Sequence, residues 1–372
     1  MARTIATVTV ALSFGLLLAA HDARARPPLA LGLQDDPVFV GHGHGALRAA
    51  AYRAARRLRV TVIRVNVVWA SVERSPERYS WARYDAAVNA ARANRMAVQL
   101  TLTGPAPAWD TGDGRAGPYE PNASAFGRFT AAAASHFRGR AARYSIWNEP
   151  NWPSWLEPHA RAADLYRALY LSAYAAVKAA DPAVPVLIGE LAPMGEPEPA
   201  TPPLRFIREL TCRDGRLRAT RRCPPLYADG FAIHPYTLRW PPWFPGAQAD
   251  DVTIGSLDRL TRTLDVLARW HALETPRGRP PALYLTEYGY HARLAAIPEP
   301  IRAAYTIAAY GLAMANPRVR EIVWYQLVAP RRFVRGTWDT ALLSPSGAPR
   351  RTFLALAHWA RGQRRIARTA RW

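Results

Sequence analysis

The chain has 372 residues and a formal net charge of +21, with 49% hydrophobic, 10% aromatic and 21% charged side chains. That balance belongs to a globular chain with a large core, and it excludes a disordered or fibrous polymer. Two cysteines exclude a disulfide-dense scaffold and a four-thiolate zinc ribbon. The basic residues are all arginine except Lys178, so the charge reads as compositional bias of a GC-rich coding sequence rather than a nucleic-acid signal.

At the N-terminus, Arg3 precedes an apolar run from Ile5 to Ala20, followed by Ala23-Arg24-Ala25. A positive start, a short apolar stretch and a small-x-small site form a secretory signal. The run is shorter than the ~20 apolar residues of a membrane span. The expectation is therefore a signal peptide over residues 1–25, cleaved after Ala25, and a secreted mature chain with no stable membrane insertion. In an oxidising compartment, Cys212 and Cys223, close together in a polar arginine-rich stretch, are expected to form a structural disulfide.

Short apolar runs then recur along the chain: Leu29–Leu33, Val60–Trp69, Met96–Thr103, Tyr144–Trp147, Val186–Gly189, Gly230–His234, Leu283–Thr286 and Ile322–Leu327. Between them lie helical stretches, among them Gly45–Leu58, Ala82–Asn94, Asn122–Phe137, Ala160–Ala180, Ser256–His271 and Pro300–Asn316. Asn122 offers a side-chain cap, and Asp181-Pro182 and Asn316-Pro317 supply stops. Strands alternating with helices imply a parallel sheet, and eight such units imply a single closed α/β (β/α)8 TIM barrel over residues 26–360. A doubly wound sheet would need a glycine-rich turn after the first strand, and Leu31–Pro37 has none. The segments Pro193–Pro203, the cysteine stretch and Leu238–Asp251 read as loops, and Arg361–Trp372 as a basic tail.

Active sites of such barrels form at the C-terminal strand ends. Those ends carry Arg64 and Asn66, Asn148 and Glu149, His234 and Tyr236, Glu287, and Trp324 with Gln326. Two glutamates on opposed strand ends suit glycoside hydrolysis, in which one carboxylic acid protonates the leaving oxygen and one carboxylate attacks or activates water. Glu190 is a third carboxylate, read as a buried hydrogen-bonding group. Asp35 and Asp36 bind sugar hydroxyls or cap the turn that follows them. Trp152, Trp155, Trp240 and Trp243 stack on sugar or pack their own loops. His42 and His44 lack accompanying ligands at metal spacing, so they read as a turn, and no metal or cofactor is expected.

The run Tyr144-Ser-Ile-Trp-Asn-Glu-Pro-Asn151, together with Leu285-Thr-Glu-Tyr-Gly289, resembles the clan of retaining glycoside hydrolases with catalytic glutamates on strands four and seven. The chain is most similar there to the cellulase-like family 5 and the β-xylosidase-like family 39. The resemblance spans residues 29–360. It implies that Glu149 is the acid/base and Glu287 the nucleophile, and that Asn148 holds the sugar 2-hydroxyl. It further implies that Arg64 keeps the nucleophile ionised, that His234 and Tyr236 orient it, and that Trp324 or Gln326 lies under the reacting sugar. Glu149 is expected to gain a raised pKa from the charge on Glu287. Hydrolysis of a β-linked glycan or oligosaccharide by double displacement follows. Transglycosylation by the same pair and a non-catalytic polysaccharide-binding barrel are the alternatives. Among partners, a carbohydrate substrate is expected and nucleic acid is not. The +21 charge leaves room for salt-sensitive association with anionic envelope polymers.

Overall fold

A computed structural model describes residues 28–41, 45–195, 199–293, 297–334 and 337–369, with side chains to residue 362. The expected leader over residues 1–25, the pair His42 and His44, and part of the basic tail lie outside the described residues.

Eight strands form the sheet: β1 (Ala30–Gln34), β2 (Val62–Val68), β3 (Ala97–Thr103), β4 (Arg143–Ile146), β5 (Val186–Leu191), β6 (Gly230–Ile233), β7 (Ala282–Tyr288) and β8 (Val319–Tyr325). Each pairs in parallel with its neighbours in chain order, and β8 pairs with β1 to close the barrel. One longer helix follows each strand: α1 (Gly45–Arg57), α2 (Ala82–Ala93), α3 (Ala123–His136), α4 (Ala162–Ala180), α5 (Pro203–Leu210), α6 (Leu257–Arg269), α7 (Glu299–Ala315) and α8 (Arg351–Thr369). This is a single (β/α)8 barrel. Among the described residues, no helix is long and apolar enough to cross a membrane.

The local chemistry behind the boundaries is visible. The Asn122 side chain accepts from the N–H groups of Ser124 and Ala125 and starts α3. The helix α4 stops at Asp181, before Pro182, and α7 at Asn316, before Pro317. The helix α5 lies beyond the proline-rich stretch and was not apparent as a helix. Its prolines sit at the N-terminal positions that need no N–H, and Leu204, Phe206, Ile207 and Leu210 form its buried face. The Cys212–Cys223 disulfide is formed, just after α5 and before β6, at the end of the barrel opposite the strand C-termini.

The main apolar core lies between the sheet and the helices. Val98, Leu100 and Leu102 of β3 and Ala133 and Phe137 around the end of α3 are fully buried there. The barrel's inside is polar. Arg143 of β4 reaches across the lumen to Glu321 of β8 at 2.8 Å, and a second ionic layer lies nearer the strand C-termini.

Candidate active site

The upper layer is built around Arg64, which is fully buried on β2. Its Nη1 donates to Glu287 Oε1 at 2.6 Å and also contacts Gln34 Oε1, while Nη2 donates to Glu190 Oε2 at 2.7 Å and Asn148 Oδ1 at 3.1 Å. His234, also fully buried, places Nδ1 2.9 Å from Glu149 Oε1 and 3.7 Å from Glu287 Oε2, and Nε2 2.7 Å from Glu190 Oε2. The Tyr236 hydroxyl donates to Glu287 Oε2 at 3.3 Å. One carboxylate oxygen of Glu149 and one of Glu287 lie within 4.8 Å of each other.

Irregular backbone aims these groups. Trp147, Glu149, Glu190 and Gln326 all have left-handed φ, at 66°, 40°, 53° and 67° respectively. Non-glycine residues rarely adopt this region, and such strain concentrates at functional sites. Register shifts mark β5 between Gly189 and Leu191, and β7 between Leu285 and Tyr288. Bulges of this kind re-aim side chains. As a result, the adjacent Thr286 and Glu287 both face the site, with the Thr286 hydroxyl on Glu190 Oε2 at 2.9 Å. Asn151 ties the loops after β4 and β5 together, donating to Ala192 and Thr201 carbonyls at 3.0 and 2.8 Å.

Protonation differs sharply across the cluster. Burial raises the Glu149 carboxyl above its usual range, and Glu287 adds to this, while the hydrogen bond and charge of His234 pull the other way. The direction agrees with the sequence expectation, but burial rather than the neighbouring charge is the chief cause. Burial alone would also raise Glu190, yet Arg64 and His234 hold it down at about 2. Burial opposes a charged His234, but Glu287, Glu149 and Glu190 together raise it to about 10. The imidazole is thus an imidazolium at neutral pH.

Above this layer opens a cavity of about 330 Å³. Asn66, Asn148, Glu149 and Glu287 line it with the aromatic rings of Trp152, Trp155, Tyr236, Tyr325 and Trp338. Asn66 Oδ1 is buried there without a partner inside the protein. Trp338 meets Tyr236 edge-on, with ring centroids 5.8 Å apart. Glu149, His234 and Glu287 also offer atoms at metal-ligand spacing. The fixed charge of Arg64 already occupies Glu287, and His234 Nδ1 is held by Glu149, so the cluster reads as hydrogen-bonded rather than metal-binding.

Of the residues expected to meet substrate, Asn148, Tyr236 and Trp152 line the cavity, as do both glutamates. Arg64 and His234 do not line it; they lie behind the carboxylates they hold. His234 bonds Glu149 more closely than Glu287, so it is not chiefly a nucleophile-orienting group. Trp324 is not a platform. It faces the helix layer, 1% exposed, with its indole N–H on the Thr340 carbonyl at 3.0 Å. Its strand neighbour Tyr325 faces the cavity, because successive side chains alternate between faces. Gln326 accepts from the Thr340 N–H at 2.8 Å and positions the loop carrying Trp338. Asp35 is a cap: its carboxylate accepts from the N–H of Val38 at 3.3 Å, and from those of Leu327 and Val328 at 2.9 Å each. Tyr325 and Trp338 were missed. Glu321 carried the signal for Tyr325, since a buried mid-strand carboxylate must face the polar lumen and residue 325 shares its face.

No protein-family model and no curated protein matches the sequence. Solved structures do match the fold. A family 39 glycoside hydrolase from the gut symbiont Bacteroides cellulosilyticus WH2 has a TM-score of 0.65 at 19% identity, over 90% of this chain and 64% of that one. Xylanase 10B from Thermotoga petrophila RKU-1, in complex with xylobiose, has a TM-score of 0.61 at 16% identity, over 90% of this chain and 94% of that one. GH5_18 from Streptomyces cattleya, in complex with GlcNAc, has a TM-score of 0.62 at 17% identity, over 91% and 81% of the two chains. The chain therefore spans less than two thirds of the family 39 protein and most of the other two. What it shares with all three is the single (β/α)8 barrel.

Proposed function

We propose that the protein is a secreted retaining β-glycosidase that uses Glu149 as acid/base and Glu287 as nucleophile. The observation that carries this reading is the pair itself: two carboxyl groups within 4.8 Å at the floor of an aromatic-lined cavity, one pushed toward its acid form by burial and one ion-paired to Arg64. A spacing of about 5–5.5 Å suits direct attack, whereas inversion needs a wider gap for water. The structural neighbours described as glycoside hydrolases and xylanases support the same reaction class.

In the first step, the Glu149 proton passes to the leaving oxygen while a Glu287 oxygen bonds to the anomeric carbon and the glycosidic bond breaks. Glu149, now ionised, then takes a proton from water as that water attacks, and the ester to Glu287 is released. The Tyr236 hydroxyl and Arg64 hold the two Glu287 oxygens in place. Asn148 and Asn66 present amide groups to sugar hydroxyls, and the surrounding rings offer stacking faces. The chemistry calls on no metal or cofactor.

The test uses a panel of aryl β-glycosides and β-linked glycans with the mature chain, Glu149→Gln and Glu287→Gln. Loss of ~10²-fold or more in both variants is expected, as for removal of an acid/base or nucleophile. A 2-deoxy-2-fluoro glycoside should leave a covalent label on the Glu287 peptide. A label elsewhere, or an undiminished Glu287→Gln, overturns the assignment. Product analysis separates hydrolysis from transfer.

A further inference from the structure

Glu190 is a buried carboxylate beside the catalytic pair to which the proposed chemistry gives no part. It lies at the end of β5 with no exposed surface and lines no part of the cavity. The chain is specially shaped to put it there. Gly189 has φ +113°, and a Cβ at that position would lie 2.4 Å from the Ala232 carbonyl oxygen. Glu190 itself is left-handed, inside the β5 register shift.

Its oxygen Oε2 accepts from Arg64 Nη2 at 2.7 Å, His234 Nε2 at 2.7 Å and the Thr286 hydroxyl at 2.9 Å, and Oε1 meets Gln99 Nε2 at 3.4 Å. Each of its two cations reaches a different catalytic carboxylate with its other nitrogen: Arg64 reaches Glu287 at 2.6 Å, and His234 reaches Glu149 at 2.9 Å. We infer that Glu190 is a positioning residue that keeps Glu149 in its acid form by holding Arg64 and His234 between itself and the catalytic pair.

Three carboxyls face two cations, so the cluster is neutral when one carboxyl keeps its proton, and burial penalises any uncompensated charge. Glu190 lies 2.7 Å from both cations, whereas Glu287 lies 2.6 Å from Arg64 but 3.7 Å from His234. The charge of Glu190 supports the imidazolium of His234, so His234 holds a proton on each ring nitrogen while Glu149 keeps its own. The other groups around the cluster are the Tyr236 hydroxyl, Asp36 near Arg64, the Tyr166 hydroxyl behind β5, and Glu321, which Arg143 pairs at 2.8 Å. None replaces Glu190 in contact with both cations. Without its charge, Arg64 and His234 face Glu149 and Glu287 alone, both become carboxylates, and the acid is lost.

The consequence for catalysis rests on the glycosidase reading, but the measurement does not. Imidazole ¹⁵N spectra of histidine-labelled protein, with His234 assigned through His234→Asn, should show both ring nitrogens protonated in the wild type from about pH 6 to 9. In Glu190→Gln one of those protons, or the Glu149 proton, is lost within that range. The alkaline limb of kcat/KM then moves down by about one pH unit, so the rate at about pH 8 falls about tenfold relative to that at about pH 5. Glu190→Asp, which retains the charge, should restore the limb. A purely structural role would lower the rate at all pH values alike. A neutral His234 in the wild type at neutral pH overturns the inference, as does a Glu190→Gln protein in which both the histidine titration and the alkaline limb match the wild type. If Glu190→Gln does not fold, the wild-type spectra decide. A chain inert toward every glycoside would remove the reading of function while leaving the histidine titration to judge Glu190.

Discussion

Replacing Arg64 by methionine keeps a side chain of similar length in the barrel and removes a charge that Glu190, Glu287, Asn148 and Gln34 all share. Breaking a buried pair from one side costs about 3–5 kcal/mol, because the partner stays charged without compensation. An independent route gives a similar size. Glu190 is held at about 2 against an ordinary 4.5, which corresponds to about 3 kcal/mol of folding stability. Because the folded value is depressed, that stability is present above about pH 4.5 and lost as pH falls through about 2. In Arg64→Met burial dominates, so the carboxyl titrates higher and protonation relieves the folded state. The deficit should therefore be several kcal/mol at pH 7 and clearly smaller near pH 4. Urea unfolding of both proteins at the two pH values measures it. A deficit below about 1 kcal/mol at pH 7, or one that does not shrink on acidification, would show that Arg64 does not compensate these buried carboxylates.

Other outcomes follow from the same geometry. Trp338→Ala removes an exposed ring from the cavity wall and should raise KM several-fold with a smaller change in kcat, in line with ~0.5–1.5 kcal/mol for an aromatic contact; an unchanged KM would take Trp338 out of the binding site. Cys212→Ser with Cys223→Ser opens a short loop and should cost about 3 kcal/mol while leaving steady-state kinetics intact, because the bridge lies at the far end of the barrel. Gly189→Ala places a methyl against the Ala232 carbonyl. It should lower both the melting temperature and activity, and a variant matching the wild type would show the bulge to be adaptable.

The fold was legible because its signals are local and repeated. Apolar β-branched runs, alanine-rich helical faces and the stops at Asp181-Pro182 and Asn316-Pro317 act within a few residues of the structure they determine. Glu149, Glu287, Asn148 and Tyr236 were legible because strand ends point at the barrel mouth. What was not legible depends on strand parity and on bulges. The choice between Trp324 and Tyr325 turns on which alternate face of β8 looks inward, and an aromatic residue suits either. Asp35 carries the same carboxylate whether it binds a ligand or caps a turn, and only the approach of Leu327 and Val328 from β8's far end decides it. Glu190 could be read as buried, but its link to both cations joins β2, β5 and β6, which no local pattern records.

The lower ionic layer has a different implication, for how the barrel closes. Arg143 and Glu321 meet across the lumen, four strands apart, below the layer of Arg64 and Glu190. Sliding any of these strands by one residue would turn its charge into the apolar seam beneath the helices. The two layers thus act as keys that admit one stagger of the sheet, and they act before any substrate is present. Only the upper key is tied to the cavity. An engineer wanting a sturdier barrel could exchange Arg143 and Glu321 together for apolar residues of matching volume, a replacement that is often neutral or stabilising, and leave the hydrogen bonds of the layer above in place.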